Sequence, residues 1–247
     1  MQPEKKQLEI LLMNYFRECL PDFPGGAVMP SESPDFTIRM KNQHILGIEL
    51  TRLNPGNALP LTDEQASDIR EKEHFIELVK AIFEKNSPLK LFVKFLFTEG
   101  EPIDSERQLM ASVHTAHLIR QAVQKRKSND FFRISLPSSS LSKGISEILI
   151  VHHPALQGSI WERSNNLGIS NDVVDDIRRA IHKKDEKLRI YQKQRLNYYW
   201  LLITTDRLQG VRNYHLAEKV MNHKFESRFQ HVYLFDLIKA DVFELVR

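Results

Sequence analysis

The chain has 247 residues, 41% of them hydrophobic and 27% charged, enough for one large domain or two small ones with a real core. Its single cysteine, Cys19, excludes an intramolecular disulfide and any cysteine-rich zinc module. No run approaches the roughly 18 consecutive apolar residues of a membrane helix, so a cytoplasmic protein is expected, and the formal net charge of +3 points to no partner by itself.

Leu8, Leu11, Leu12, Tyr15 and Cys19 form an apolar stripe that predicts a helix over about 4–20. After a loop-rich stretch with a short strand at 27–29, two segments alternate with period 2: Phe36, Ile38 and Met40 on one, Leu46, Ile48 and Leu50 on the other. With Lys41-Asn42-Gln43 as a three-residue turn, Ile38 faces Leu46, Phe36 faces Ile48, and Asp35 falls opposite Glu49. A slip of one residue would put the two apolar rows on opposite faces, so the pattern selects this register. Opposed carboxylates repel. Either they are solvated on an open face, or a cation or shared proton relieves them. Two hard oxygen donors suit Mg²⁺ or Mn²⁺, and Gly47 opposite Thr37 is expected to leave room on that polar face.

Further along, Thr62 with Gln65 predicts a capped helix over about 62–85, followed by a strong strand at 89–97 and a helix at about 103–126. Strands at about 131–136 and 145–152 flank a serine-rich loop. Ser170-Asn171-Asp172 caps a helix over 172–195. A buried strand at 198–204, a short helix near 215–223 and a last strand at 231–235 follow, and the mixture along the whole length predicts one mixed α/β domain.

The helix at 172–195 carries eight Lys or Arg between 177 and 195 against Asp185 and Glu186. That surplus either meets phosphates or makes a solvated, salt-bridged face. Its inward stripe reads Val174, Ile177, Ile181, Lys184, Leu188, Tyr191. A lysine in an apolar seam must snorkel out, pair with an acid or serve a site.

Pro34-Asp35, a hairpin, and then Glu49-Leu50-Thr51 resemble the signature of the PD-(D/E)XK nuclease-like superfamily, with Thr51 where lysine is expected. The match covers about 5–52. The resemblance implies a restriction-endonuclease-like mixed central sheet flanked by helices, with Mg²⁺ (or Mn²⁺) held by Asp35, Glu49 and the backbone oxygen of Leu50. It implies an acid on the first helix, Glu9 in preference to Glu18, and a lysine migrated to a neighbouring element, Lys184. The remaining core helix and strand are either 62–85 with 89–97, or 172–195 with 198–204. The second choice explains the inward lysine and makes about 53–170 an insertion between core segments 1–52 and 171–247. The activity implied is metal-dependent hydrolysis of DNA, with Arg178, Lys183 and Lys187 on the backbone. RNA as substrate and a homodimer are also admitted, and the alternative is a catalytically silent binding module on the same fold.

Other constellations are weaker. His114 with His117, and His152 with His153, lack a third convergent ligand, so surface or capping roles are expected. Ser138-Ser139-Ser140 has no nucleophile elbow, and no glycine-rich phosphate loop occurs. Trp161 and Trp200 are expected to anchor cores.

Overall fold

The computed structural model describes residues 4–53, 62–98, 100–103, 108–164, 172–191, 196–206 and 216–247. In chain order the elements are α1 (Glu4–Cys19), β1 (Val28–Pro30), β2 (Phe36–Arg39), β3 (Ile45–Arg52), α2 (Asp63–Asn86), β4 (Phe92–Phe97), α3 (Gln108–Val123), β5 (Phe132–Pro137), β6 (Ile145–His152), β7 (Ile160–Arg163), α4 (Val173–Tyr191), β8 (Tyr198–Thr205), α5 (Leu216–Met221), β9 (His231–Asp236) and β10 (Asp241–Val246). They make a mixed α/β chain with two mixed sheets flanked by helices. Contacts divide it into two compact units, Met1–Leu11 with Leu59–Asn165, and Leu12–Ala58 with Asn166–Arg247.

The first unit holds a four-stranded sheet in the order β5-β6-β4-β7. β4 lies inside it, antiparallel to β6 and parallel to β7, which is why Phe92, Val93, Phe95 and Leu96 are all buried, and Lys94, buried between them, is paired with Glu162 at 2.6 Å. α2 and α3 bury Phe75, Val79, Phe83 and Ile119 against Val93, Phe95, Ile148 and Ile150. The predicted cap is present: Thr62 Oγ1 accepts the Gln65 N–H at 3.2 Å, and Gln65 Oε1 accepts the Thr62 N–H at 3.0 Å. The strand expected from 89 begins at Phe92, because the Leu91 N–H is taken by Ser159 Oγ at 3.2 Å.

In the second unit the sheet order is β1-β2-β3-β8-β9-β10. β3, β8 and β9 run parallel, β2 and β10 flank them antiparallel, and β1 pairs antiparallel with β2 at the edge. One face buries Leu201, Ile203, Val232 and Leu234 under Val174, Ile177, Ile181 and Leu188 of α4. On the other face Tyr15 and Phe16 of α1 meet Phe235 and Tyr233. The parallel partner of β3 is β8, with Glu49 level with Leu201 and Thr51 level with Ile203. Of the two strands left open above, the one at 198–204 and not the one at 89–97 lies beside β3.

Two strands were not expected. β7 is four residues long and gains its partner from a strand far back in the chain, with Lys94 level with Glu162. β10 is an edge strand whose register shifts between Glu244 and Val246, which breaks its alternation. The turn expected at 53–57 and the helix ends at 170–171 and 192–195 lie outside the described residues, apart from Leu53.

Candidate functional site

The hairpin closes as its pattern predicts. Met40 N–H donates to His44 O at 2.9 Å and Gln43 N–H to Met40 O at 3.0 Å, with Gln43 at φ 65° in the left-handed region of a three-residue turn. The register is Ile38 to Leu46, Thr37 to Gly47 and Phe36 to Ile48.

This register explains why the strand stops where it does. In an antiparallel ladder every second pair exchanges hydrogen bonds. Counted from Met40 and His44, the next such pairs are 38 with 46, 36 with 48, and 34 with 50. Pro34 has no N–H to give the Leu50 carbonyl. The Leu50 N–H goes instead to Asp35 Oδ2 at 2.7 Å. A turn fixes Asp35 from the other side: Ser31 N–H donates to Asp35 O at 2.9 Å, and the Ser31 hydroxyl donates to Pro34 O. The Asp35 carboxylate is therefore locked to the backbone beside Glu49, and the Leu50 carbonyl is left for a partner other than β2.

That partner is Lys184. Its ammonium donates to Glu49 Oε1 at 2.6 Å and to Leu50 O at 3.3 Å. The side chains of Lys184 and Glu49 are 14% and 5% exposed. The inward lysine of the α4 stripe thus pairs with an acid of the hairpin. It also changes the account of the carboxylates: a protein ammonium offsets Glu49, and a backbone N–H offsets Asp35.

The expected room beside Gly47 is filled. A Cβ on Gly47 would lie 2.7 Å from Pro34 Cγ and 2.8 Å from Leu196 Cδ1. The glycine lets Pro34 pack flat on the strand and so sets the approach of Asp35. It does not open a cavity.

Thr51, where the signature has lysine, is half-buried and shares the strand face of Glu49. Glu9 meets Lys6 at 3.5 Å and Lys5 at 3.9 Å on its own helix. Of the basic residues, Lys183 and Lys187 are exposed on α4. Arg178 is engaged by Asp175 at 3.2 Å and lies 3.4 Å from His223. Arg179 pairs with Asp175 and Asp176, so the charge surplus of α4 is partly neutralised along the helix. Asp172, the remaining acid at this end, caps the helix, and the Asp175 N–H holds its carboxyl below the usual range.

Two features escaped the sequence. Arg52 reaches Asp206 at 3.5 Å, joining the ends of β3 and β8. Asp185, next to Lys184, accepts the Ser227 hydroxyl at 2.8 Å and the Arg228 N–H at 3.1 Å, so α4 is pinned from its far side. Both are pairings between distant segments; an acid following a buried strand is the only local sign of the first.

Among the described residues no group of three or more His, Cys, Asp or Glu is placed to hold a metal ion. The donor set at the hairpin is two carboxylates and one carbonyl oxygen, all hard ligands of the kind Mg²⁺ or Mn²⁺ takes. The histidine pairs do other work. His114 and His117 are exposed on α3, and His117 lies 3.3 Å from Arg120. His152 is not a surface residue: it is 4% exposed, with its ring nitrogens 2.7 Å from Lys90 O and 2.8 Å from Ser128 O. His153 accepts the Ala155 N–H. Trp200 is buried beside His231 and Tyr233, and Trp161 packs on Phe83 and Phe95.

Compared with known protein families, curated proteins and solved structures, the chain matches none. No helix among the described residues is long and apolar enough to cross a membrane.

Proposed function

We propose that the chain is a divalent-metal-dependent nuclease of the PD-(D/E)XK kind, hydrolysing phosphodiester bonds in DNA. The observation that carries the reading is that Asp35 accepts the Leu50 N–H next to Glu49, with the Lys184 ammonium delivered from α4 to Glu49 Oε1 and the Leu50 carbonyl. The strand order β1-β2-β3-β8, with α1 and α4 on opposite faces, supports a restriction-endonuclease-like core for the second unit.

Asp35, Glu49 and Leu50 O would hold Mg²⁺ or Mn²⁺. Bound there, the ion supplies positive charge against the phosphate oxygens and acidifies a water nucleophile. Lys184 orients that water or stabilises charge developing on the phosphorus-bound oxygens, in place of the lysine that Thr51 lacks. Lys183, Lys187 and Arg178 extend positive charge along α4 for the backbone of the substrate.

Thr51 favours a second reading, in which the fold binds nucleic acid and does not cut it. One assay separates the two. Plasmid, single-stranded DNA and RNA are incubated with the protein and Mg²⁺ or Mn²⁺, beside Glu49→Ala. Cleavage that disappears in the variant is expected. Salt-dependent binding with no cleavage by either protein would replace the first reading by the second.

A further inference from the structure

We infer that Lys184 is the resident counter-ion of the hairpin site, and that a divalent ion binds there only by displacing its ammonium. The inference rests on the metal reading proposed above and adds how the ion gains entry.

Lys184 Nζ already engages two of the three oxygens assigned to the metal, at 2.6 Å from Glu49 Oε1 and 3.3 Å from Leu50 O. A Mg²⁺ ion holds its oxygen ligands at about 2.0–2.1 Å. An ion drawn to the same pair of oxygens enters the space that the ammonium fills. Two positive charges at that separation repel, and side chains only 14% and 5% exposed leave little water to screen them. The Leu50 carbonyl is the longer of the two contacts and yields first. Pro34 offers that carbonyl no N–H, so lysine and metal are the two partners in competition for it.

The competition has a consequence with opposite signs. Removing the charge at position 184 tightens metal binding while it weakens phosphodiester cleavage. A lysine that merely organised the site would lower both when removed.

The test is a calorimetric titration of Mn²⁺ into the full chain, Lys184→Gln, Lys184→Met and Glu49→Ala. Lys184→Gln keeps N–H donors for both oxygens without the charge, so it guards against a folding defect in Lys184→Met. Binding about tenfold tighter in Lys184→Gln than in the unmodified chain is expected, with binding lost in Glu49→Ala. The melting temperature should also rise more with Mn²⁺ in Lys184→Gln than in the unmodified chain. Equal or weaker Mn²⁺ binding in Lys184→Gln overturns the displacement and leaves the metal reading standing. Binding by neither the unmodified chain nor the lysine variants overturns the metal reading, and the displacement falls with it.

Discussion

The ammonium of Lys184 lies 2.6 Å from Glu49 Oε1, although 135 residues separate them in the chain. The pair joins α4 to β3 at a point where the surrounding helix face is apolar: Ile181 and Leu188, on either side of Lys184 in the stripe, are both buried. Losing one partner would strand the other charge in that seam. Lys184→Met is expected to destabilise the chain by about 3–5 kcal/mol in urea unfolding without divalent ions. Lys184→Met combined with Glu49→Gln should cost clearly less than the two single changes added together. Strict additivity would show that the contact contributes nothing.

Asp35 has two duties that one substitution separates. Asp35→Asn keeps an oxygen able to accept the Leu50 N–H. Its unfolding midpoint should correspond to a change under about 1 kcal/mol, with Mn²⁺ binding and cleavage lost. Asp35→Ala removes the acceptor and should cost about 1–3 kcal/mol in addition to the loss of function. A fully active Asp35→Asn would exclude this carboxylate from the chemistry.

Gly47 is set by packing, not by backbone conformation. Gly47→Ala would place a methyl 2.7 Å from the Pro34 ring and 2.8 Å from Leu196 Cδ1. The leucine tip can swing away and the proline ring cannot, so a loss of about 1–3 kcal/mol is expected. Because Pro34 precedes Asp35, cleavage should fall as well at temperatures where the variant remains folded.

Tyr233 makes stability sensitive to alkali. Burial, and then the Glu244 carboxylate near its hydroxyl, push its phenol from the ordinary 10.0 up to about 12. The folded state therefore holds this proton more tightly than the unfolded chain. The resulting stability is complete below about pH 10 and is lost as the pH rises to about 12. Tyr233→Phe should flatten the fall of the urea midpoint across that interval. Glu244→Gln should move the tyrosinate absorbance transition to lower pH.

The hairpin was legible because its information is local. A period of 2, a three-residue turn and two matched apolar rows leave one register, and Phe36 facing Ile48 follows from them. The lysine in the α4 stripe was legible for a similar reason, since a 3.6-residue period puts Lys184 in line with Ile181 and Leu188 whatever lies opposite. β7 and β10 were not legible. A four-residue strand and a bulged edge strand carry too little periodicity of their own, and each exists because a neighbouring strand offers its hydrogen bonds.

By itself, then, the sequence determined that Asp35 and Glu49 would share one face of the hairpin and that Lys184 would stand in the apolar stripe of its helix, because side-chain direction follows from the short-range geometry of strand and helix. Only the tertiary structure decided that β8 lies beside β3, that α4 covers that face, and that Lys184 meets Glu49 and the Leu50 carbonyl. It also decided that the space at Gly47 belongs to Pro34 and Leu196. Those outcomes depend on which distant apolar surfaces bury one another, and that choice is made by the whole chain at once.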